Sequence, residues 1–228
     1  MSAVFELSLK RILKQRLTII LMMVFPIIVV LIPQSGGEIP IIGYGLFGLI
    51  LLFSAFLLTK QVIEDRQYKT IVRIAAAPIT HRDYLVGHLA AYMMVLSIQV
   101  LAFWVITQIA WAGSFTFHVW ALLLLVMFAL LSLSFSLFWH TFFKTYATSI
   151  AVYSIAANLM ALVGGMSYPL EYMPDDLRRV AVVLPTYWYA YGFELIGEAR
   201  YFTALISLCI LGAFAIIFLT IGSRRRFE

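Results

Sequence analysis

Charge is scarce in this 228-residue sequence: Asp, Glu, Lys and Arg together make up 12% of it, about half the ~25% usual in soluble domains. Cysteine is almost absent too, and the lone Cys209 excludes a disulfide framework within the chain. No G-x-x-x-x-G-K-S or G-x-x-x-x-G-K-T segment occurs, so the chain has no recognisable phosphate loop with which to bind ATP. The four histidines, His81, His88, His118 and His140, are scattered without the spacing that places two metal ligands on one helix face. Gly43-Tyr44-Gly45-Leu46-Phe47-Gly48 does fit G-x-G-x-x-G, but it opens an apolar run with no strand before it and no acidic partner after it. Close helix packing through small residues accounts for it better.

What the sequence has is apolar length. Hydrophobic residues make up 63% of it, and its mean hydropathy is +0.98. A helix needs about 20 apolar residues to cross a hydrocarbon layer ~30 Å thick. Six stretches qualify, roughly 17–33, 41–59, 85–110, 119–139, 146–166 and 202–222. Their continuity disfavours barrel strands, which alternate polar and apolar. The expectation is an all-α, polytopic membrane protein built as one domain over 1–228. The first run follows basic residues as a signal peptide would, but it reads as a retained span, since its removal would leave five helices. A seven-span alternative through Val180–Ile196 is rejected because Pro185 interrupts it and Glu194 and Glu198 follow closely.

The basic residues set an orientation. Lys10, Arg11, Lys14 and Arg16 precede the first run; Lys60, Arg66, Lys69, Arg73 and Arg82 follow the second; Lys144 and Arg224–Arg226 complete 13 of the 16 on one face. Only Arg178, Arg179 and Arg200 fall on the other. The positive-inside rule therefore puts both termini in the cytoplasm. The net +5 is a topology signal, not a nucleic-acid-binding one.

Residues 1–16 carry Phe5, Leu9, Ile12 and Leu13 at helical spacing, with Lys10, Arg11 and Lys14 on the other side, which predicts an interfacial helix facing anionic lipid or a partner. In the cytoplasmic connection, 60–84, the mixed charges and apolar residues of Val62–Ile74 predict a short amphipathic helix parallel to the membrane. Pro78 ends it, and Thr80 with Asp83 caps the next helix. In the outer connection, 167–201, Pro169, Pro174 and Pro185 break the chain. Asp175 and Asp176 suit the first turn of a helix containing Leu177–Val183, and a second, aromatic-rich helix follows through Tyr187–Arg200. Trp111, Phe115, Phe117 and Trp120 fit an interfacial aromatic belt. The runs themselves hold no Asp, Glu, Lys or Arg, which argues against a proton- or sodium-driven carrier. Asn158, near Tyr153, is the one strongly polar amide deep in a span. It reads as helix–helix glue before it reads as a substrate contact, and the two residues are the candidates for a substrate path.

Asp65-Arg66-Gln67-Tyr68-Lys69-Thr70, then Pro78, then Gly87-His88, resembles the E-R-E-x-G-T stretch, Pro and G-K pair of the membrane permeases of type-2 ATP-binding-cassette (ABC) exporters. Arg66, Thr70, Pro78 and Gly87 match; Gln67, Lys69 and His88 replace Glu, Gly and Lys. Gly165-Met166-Ser167-Tyr168-Pro169 through Met173-Pro174, with Pro185 eleven residues on, is similar to that family's outer re-entrant hairpin. The resemblance implies two permease chains, identical or paralogous, above two copies of a separate ATPase that binds ATP and Mg. Glu64, Asp65, Arg66, Gln67, Tyr68, Thr70, Arg73 and Pro78 would couple to that ATPase. Pro169, Glu171, Pro174, Pro185, Tyr187 and Trp188 would form the outer hairpin. The chain itself would bind no cofactor and catalyse nothing. It would sit in a bacterial plasma membrane and pass an amphipathic or hydrophobic cargo, such as a peptide antibiotic, a drug or a lipid-linked molecule. The rivals are a membrane immunity or sensory protein that binds without pumping, an intramembrane enzyme, for which the spans offer no polar catalytic residues, and a channel, for which no filter motif appears.

Overall fold

The computed structural model describes residues 2–31, 39–67, 81–110, 119–168 and 170–224. These form α1 (Ser2–Lys14), α2 (Arg16–Leu31), α3 (Ile39–Gln67), α4 (His81–Ala110), α5 (Val119–Trp139), α6 (Tyr146–Val163), a 3-10 turn (Leu170–Tyr172), α7 (Asp175–Ala181), α8 (Pro185–Gly197) and α9 (Tyr201–Arg224). No strand occurs among the described residues. Among the described residues, five helical segments are long and apolar enough to cross a membrane: Gly43–Asp65, Val86–Ala110, Val119–Trp139, Tyr146–Val163 and Tyr201–Gly222. The first expected span is the 16-residue α2, about 24 Å long at ~1.5 Å per residue and so short of the ~30 Å hydrocarbon layer. It counts as a sixth only together with α1, from which it turns by 84°.

The two central helices are α3 and α5. α5 packs along α9, α3 and α4, and α3 also touches α2, α6 and α8. Phe47, Leu51, Leu52 and Phe56 of α3 and Leu124, Leu125 and Phe128 of α5 are wholly buried. Between lipid-embedded helices such burial stabilises through close packing and dispersion, because lipid tails are as apolar as these side chains. Aromatic pairs fill the interfaces: Phe47 stacks on Phe103 and Tyr44 on Phe193, and Phe56 lies 4.2 Å from Tyr153.

Local chemistry ends the helices where sequence rules place their ends. Thr145 caps α6 by accepting from the Thr148 N–H. Gly164-Gly165 closes it: Gly165 takes φ +74°, Met166 N–H reaches Ala161 O (2.9 Å) and Gly165 N–H reaches Leu162 O (3.3 Å), a Schellman motif. The fifth expected span, α6, therefore stops at Val163, short of the expected 166. Pro174 precedes α7, with Asp175 and Asp176 in its first turn, and Pro185 opens α8.

One expectation is corrected. The amphipathic helix over Val62–Ile74 does not begin as a separate element, because α3 runs unbroken to Gln67 with neither glycine nor proline after Thr59 to stop it. The remainder of that stretch, including Tyr68, Thr70 and Arg73, lies outside the described residues, as do Pro78, Thr80 and Pro169. In α1, Val4, Ser8 and Ile12 are buried and Phe5 packs against the core, while Leu9 is half-buried and Leu13 exposed. α1 docks on α4 through the buried face.

Candidate coupling site at the basic end

The last turns of α3, the starts of α4 and α6, and helix α1 meet at one end of the bundle. Asp65 points into this junction with its side chain 9% exposed, and both its carboxylate oxygens lie 3.2–3.3 Å from Arg11 Nη1 on α1. One turn earlier on α3, Lys60 pairs with Glu64 at 3.2 Å and sits 4.9 Å over the Tyr146 ring of α6. Gln67 accepts a hydrogen bond from the Tyr146 N–H at the start of that helix. The expected coupling residues thus divide. Asp65 is spent on an internal brace, whereas Glu64 is partly exposed and Gln67 exposed at the rim.

Gly87 is where α1 crosses α4. A methyl there would come within 2.9 Å of Val4 Cβ, so the crossing needs a residue without a side chain. Beside it Ser8 donates to Val4 O (2.7 Å) and lies 2.9 Å from His88 Nδ1; the Tyr92 hydroxyl is 3.0 Å from the same nitrogen. His88, which stands where the resembling family has Lys, is a buried docking residue for α1.

A second buried network ties α3, α5 and α6 together at this end. The Thr59 hydroxyl lies 2.6 Å from Ser136 Oγ and 3.0 Å from His140 Nε2, and His140 Nδ1 is 3.1 Å from Ser149 Oγ. Trp139 donates to Ser149 O. Nothing in the sequence pattern announced this layer, because Thr, Ser and His in apolar helices carry no distinctive spacing.

At the opposite end α8 sinks between α3, α5 and α9. Tyr189 donates to Tyr44 O (2.7 Å) and lies against Phe128, the tenth residue of α5. Thr186 donates to Met160 O, and the Trp188 indole to Val182 O. A methyl on Gly45 would collide with the Met166 carbonyl, and one on Gly48 with Met166 and Tyr189. The glycine run therefore serves close packing, against the hairpin's entry and α8. Tyr187 is buried and bonds Arg178, which together with Glu194 holds that guanidinium above its usual value. Burial pushes the Glu194 carboxyl up, Arg178 opposes this, and Glu198 and Glu171 add to it. Glu171 is exposed.

The two path candidates on α6 part company. Tyr153 is wholly buried and donates to Leu52 O (2.9 Å), which makes it a packing residue. Asn158 is exposed, and its amide turns back to Ser154 O on its own helix, so it joins no second helix within the chain. A cavity of about 400 Å³ opens nearby between α2, α3 and α6, with Met22, Phe25, Ile50, Phe53 and Ile150 among its walls.

An apolar helical bundle fits membrane proteins of many functions, and comparison with known families narrows the choice. The family model described as "ABC-2 family transporter protein" matches residues 33–224. The chain belongs to the ABC-2 family. Comparison with curated proteins finds no match. An ABC-2 membrane subunit is a multi-pass permease that works with an ABC ATPase, and Asp65 and Gln67 at the end of α3 belong to the stretch that resembles the family's ATPase-facing motif.

Proposed function

We propose that the chain is the permease subunit of an ABC exporter in a bacterial plasma membrane, crossing it six times with α1–α2 as interfacial helix and first span and with both ends cytoplasmic. Two such chains, or one and a paralogue, pair above two ATPase subunits that hold ATP and Mg; the chain itself is not the enzyme. The observation that carries this reading is the family membership combined with the braced end of α3. A helix whose last turns are tied to α1 by Arg11–Asp65 and to α6 by Gln67 moves its neighbours when it is pushed. The ATPase would push on Glu64, Arg66 and the residues that follow. The 167–201 hairpin re-enters the membrane from outside, consistent with the depth at which Tyr189 meets Phe128. Non-helical backbone at that depth needs protein cover, which α3 and α5 supply. The walls favour an amphipathic or hydrophobic cargo.

The test is to tag the chain in its host, extract it in mild detergent and assay vanadate-sensitive ATP hydrolysis, with and without Glu64→Ala, Arg66→Ala and Thr70→Ala. Copurification of an ATPase that these changes release or uncouple is expected. A chain that purifies alone and supports no hydrolysis would favour a membrane protein that binds without pumping.

A further inference from the structure

The buried polar layer at the basic end is centred on His140. This residue sits just past α5, 1% exposed, with its ring 4.6 Å from that of Phe56 on α3. Its Nε2 lies 3.0 Å from the Thr59 hydroxyl of α3, and its Nδ1 lies 3.1 Å from the Ser149 hydroxyl of α6. A neutral imidazole has one N–H and one bare nitrogen, and a hydroxyl can meet either, so the ring spans the two helices without carrying charge. Thr59 and Ser149 are wholly buried. Cutting either contact strands a buried polar group, so the bridge resists being pulled apart.

The other ties between α3 and α6 show what the bridge adds. At the rim, Lys60 faces the Tyr146 ring and Gln67 accepts from the Tyr146 N–H. Gln67 is exposed and the Lys60 side chain 35% exposed, so water competes for both. Deeper in, Phe56 lies against Tyr153, an apolar contact with little directionality. A directed, buried bond also runs from the Tyr153 hydroxyl to Leu52 O. Leu52 is about 10 Å along α3 from Thr59. One directed bond leaves α6 free to pivot about it, whereas two that far apart fix its direction relative to α3.

We infer that His140 is a positioning residue for coupling: it pins the start of α6 to α3, so that α6 swings with α3 instead of pivoting about Tyr153. The inference rests on the permease reading, in which the ATPase pushes α3 at Glu64, about 7 Å along the helix from Thr59. Movement driven there reaches α6 through the protein interior, and the exposed rim contacts add little to it.

The first test is a thermal double-mutant cycle on the purified full chain. Among the described residues Thr59 and Ser149 share no bond of their own, so Thr59→Val and Ser149→Ala couple through the ring. Their combined loss of Tm should fall short of the sum by about 3 °C. In a His140→Phe background, which keeps the ring but not its nitrogens, the two should add to within about 1 °C. The second test takes the chain with its copurified ATPase and follows hydrogen exchange with and without ATP, Mg and vanadate. In the parent, residues 60–67 and 146–152 should respond together; in His140→Phe the response of 60–67 should stay and that of 146–152 should be lost. Ser149→Ala releases α6 while leaving His140 on Thr59, and should show the same split where His140→Phe fails to fold. A merely structural role would lower the Tm and leave the two responses together. An additive cycle in the parent chain, or a full response of α6 in these variants, would overturn the inference. A coupled cycle in a chain that purifies without an ATPase would keep the pin and remove the exporter reading.

Discussion

Exchanging Arg11 for Gln should loosen α1 from the bundle and lower the thermal stability of the purified chain. Unit charges ~4 Å apart attract by about 4 kcal/mol at an effective dielectric of ~20. Arg11 keeps 36% of its side chain in solvent while Asp65 keeps 9%, so screening and retained hydration reduce the net coupling to about 1–2 kcal/mol. For a chain of this length that corresponds to a fall of about 4 °C in Tm. The measurement is a double-mutant cycle with Arg11→Gln, Asp65→Asn and the pair, followed by tryptophan fluorescence on heating in detergent. The loss in the double variant should be smaller than the sum of the single losses, by the coupling energy. The reversed pair, Arg11→Asp with Asp65→Arg, should recover part of it. Single variants that each lose stability but add without coupling would show that Arg11 and Asp65 act separately, and the brace between α1 and α3 would have to be abandoned.

Ala199 sits at φ +57° in the Schellman turn that closes α8, with Arg200 N–H on Leu195 O and Ala199 N–H on Ile196 O; Ala199→Gly should stabilise by about 1 kcal/mol, read as a higher Tm. Gly45→Ala, by contrast, meets the Met166 backbone, which cannot retreat as a side chain would, and should lower both the Tm and the yield of folded chain. Because burial raises the Glu194 carboxyl above its ordinary value of 4.5, the folded hairpin binds a proton more readily than the unfolded chain does. Its contribution to stability is therefore full at low pH and is lost as pH rises through and above that value. Glu194→Gln should flatten this dependence, as measured by hydrogen exchange of α8 amides between pH 4 and 7. Pro26 has no N–H, so Met22 O lacks its helical donor and Gln99 Nε2 donates to it instead at 2.8 Å; Pro26→Ala restores the backbone donor, so Gln99→Leu should lower the Tm less in that background than alone, and equal losses would refute Gln99 as a replacement donor.

Much of the architecture was legible because lipid imposes simple rules. Long apolar runs become helices, and Pro174, Asp175, Asp176 and Pro185 punctuated the outer connection where α7 and α8 begin. The errors fell where periodicity is weak evidence. α3 continues past its apolar run because Lys60–Glu64 and the buried Val62 and Ile63 keep it helical, and a change in composition is not a change in secondary structure. The face that α1 turns to the protein is not legible in its own sequence for a different reason. Leu13 is the more apolar residue, but Ser8 has a hydrogen-bond partner in His88 and Arg11 has one in Asp65. Which face docks is decided by partners on helices far away in sequence, and one segment read alone does not contain them.

The same logic explains why the family-like stretch splits at Asp65. Successive helical residues point about 100° apart, so a contiguous motif on α3 serves several neighbours at once. Asp65 faces α1, Glu64 returns to Lys60, and Gln67 reaches the start of α6. A motif that only touched an ATPase would need one exposed face. Two of these residues are aimed at other helices, Asp65 at α1 and Gln67 at α6, so a push on the end of α3 would reach both neighbours.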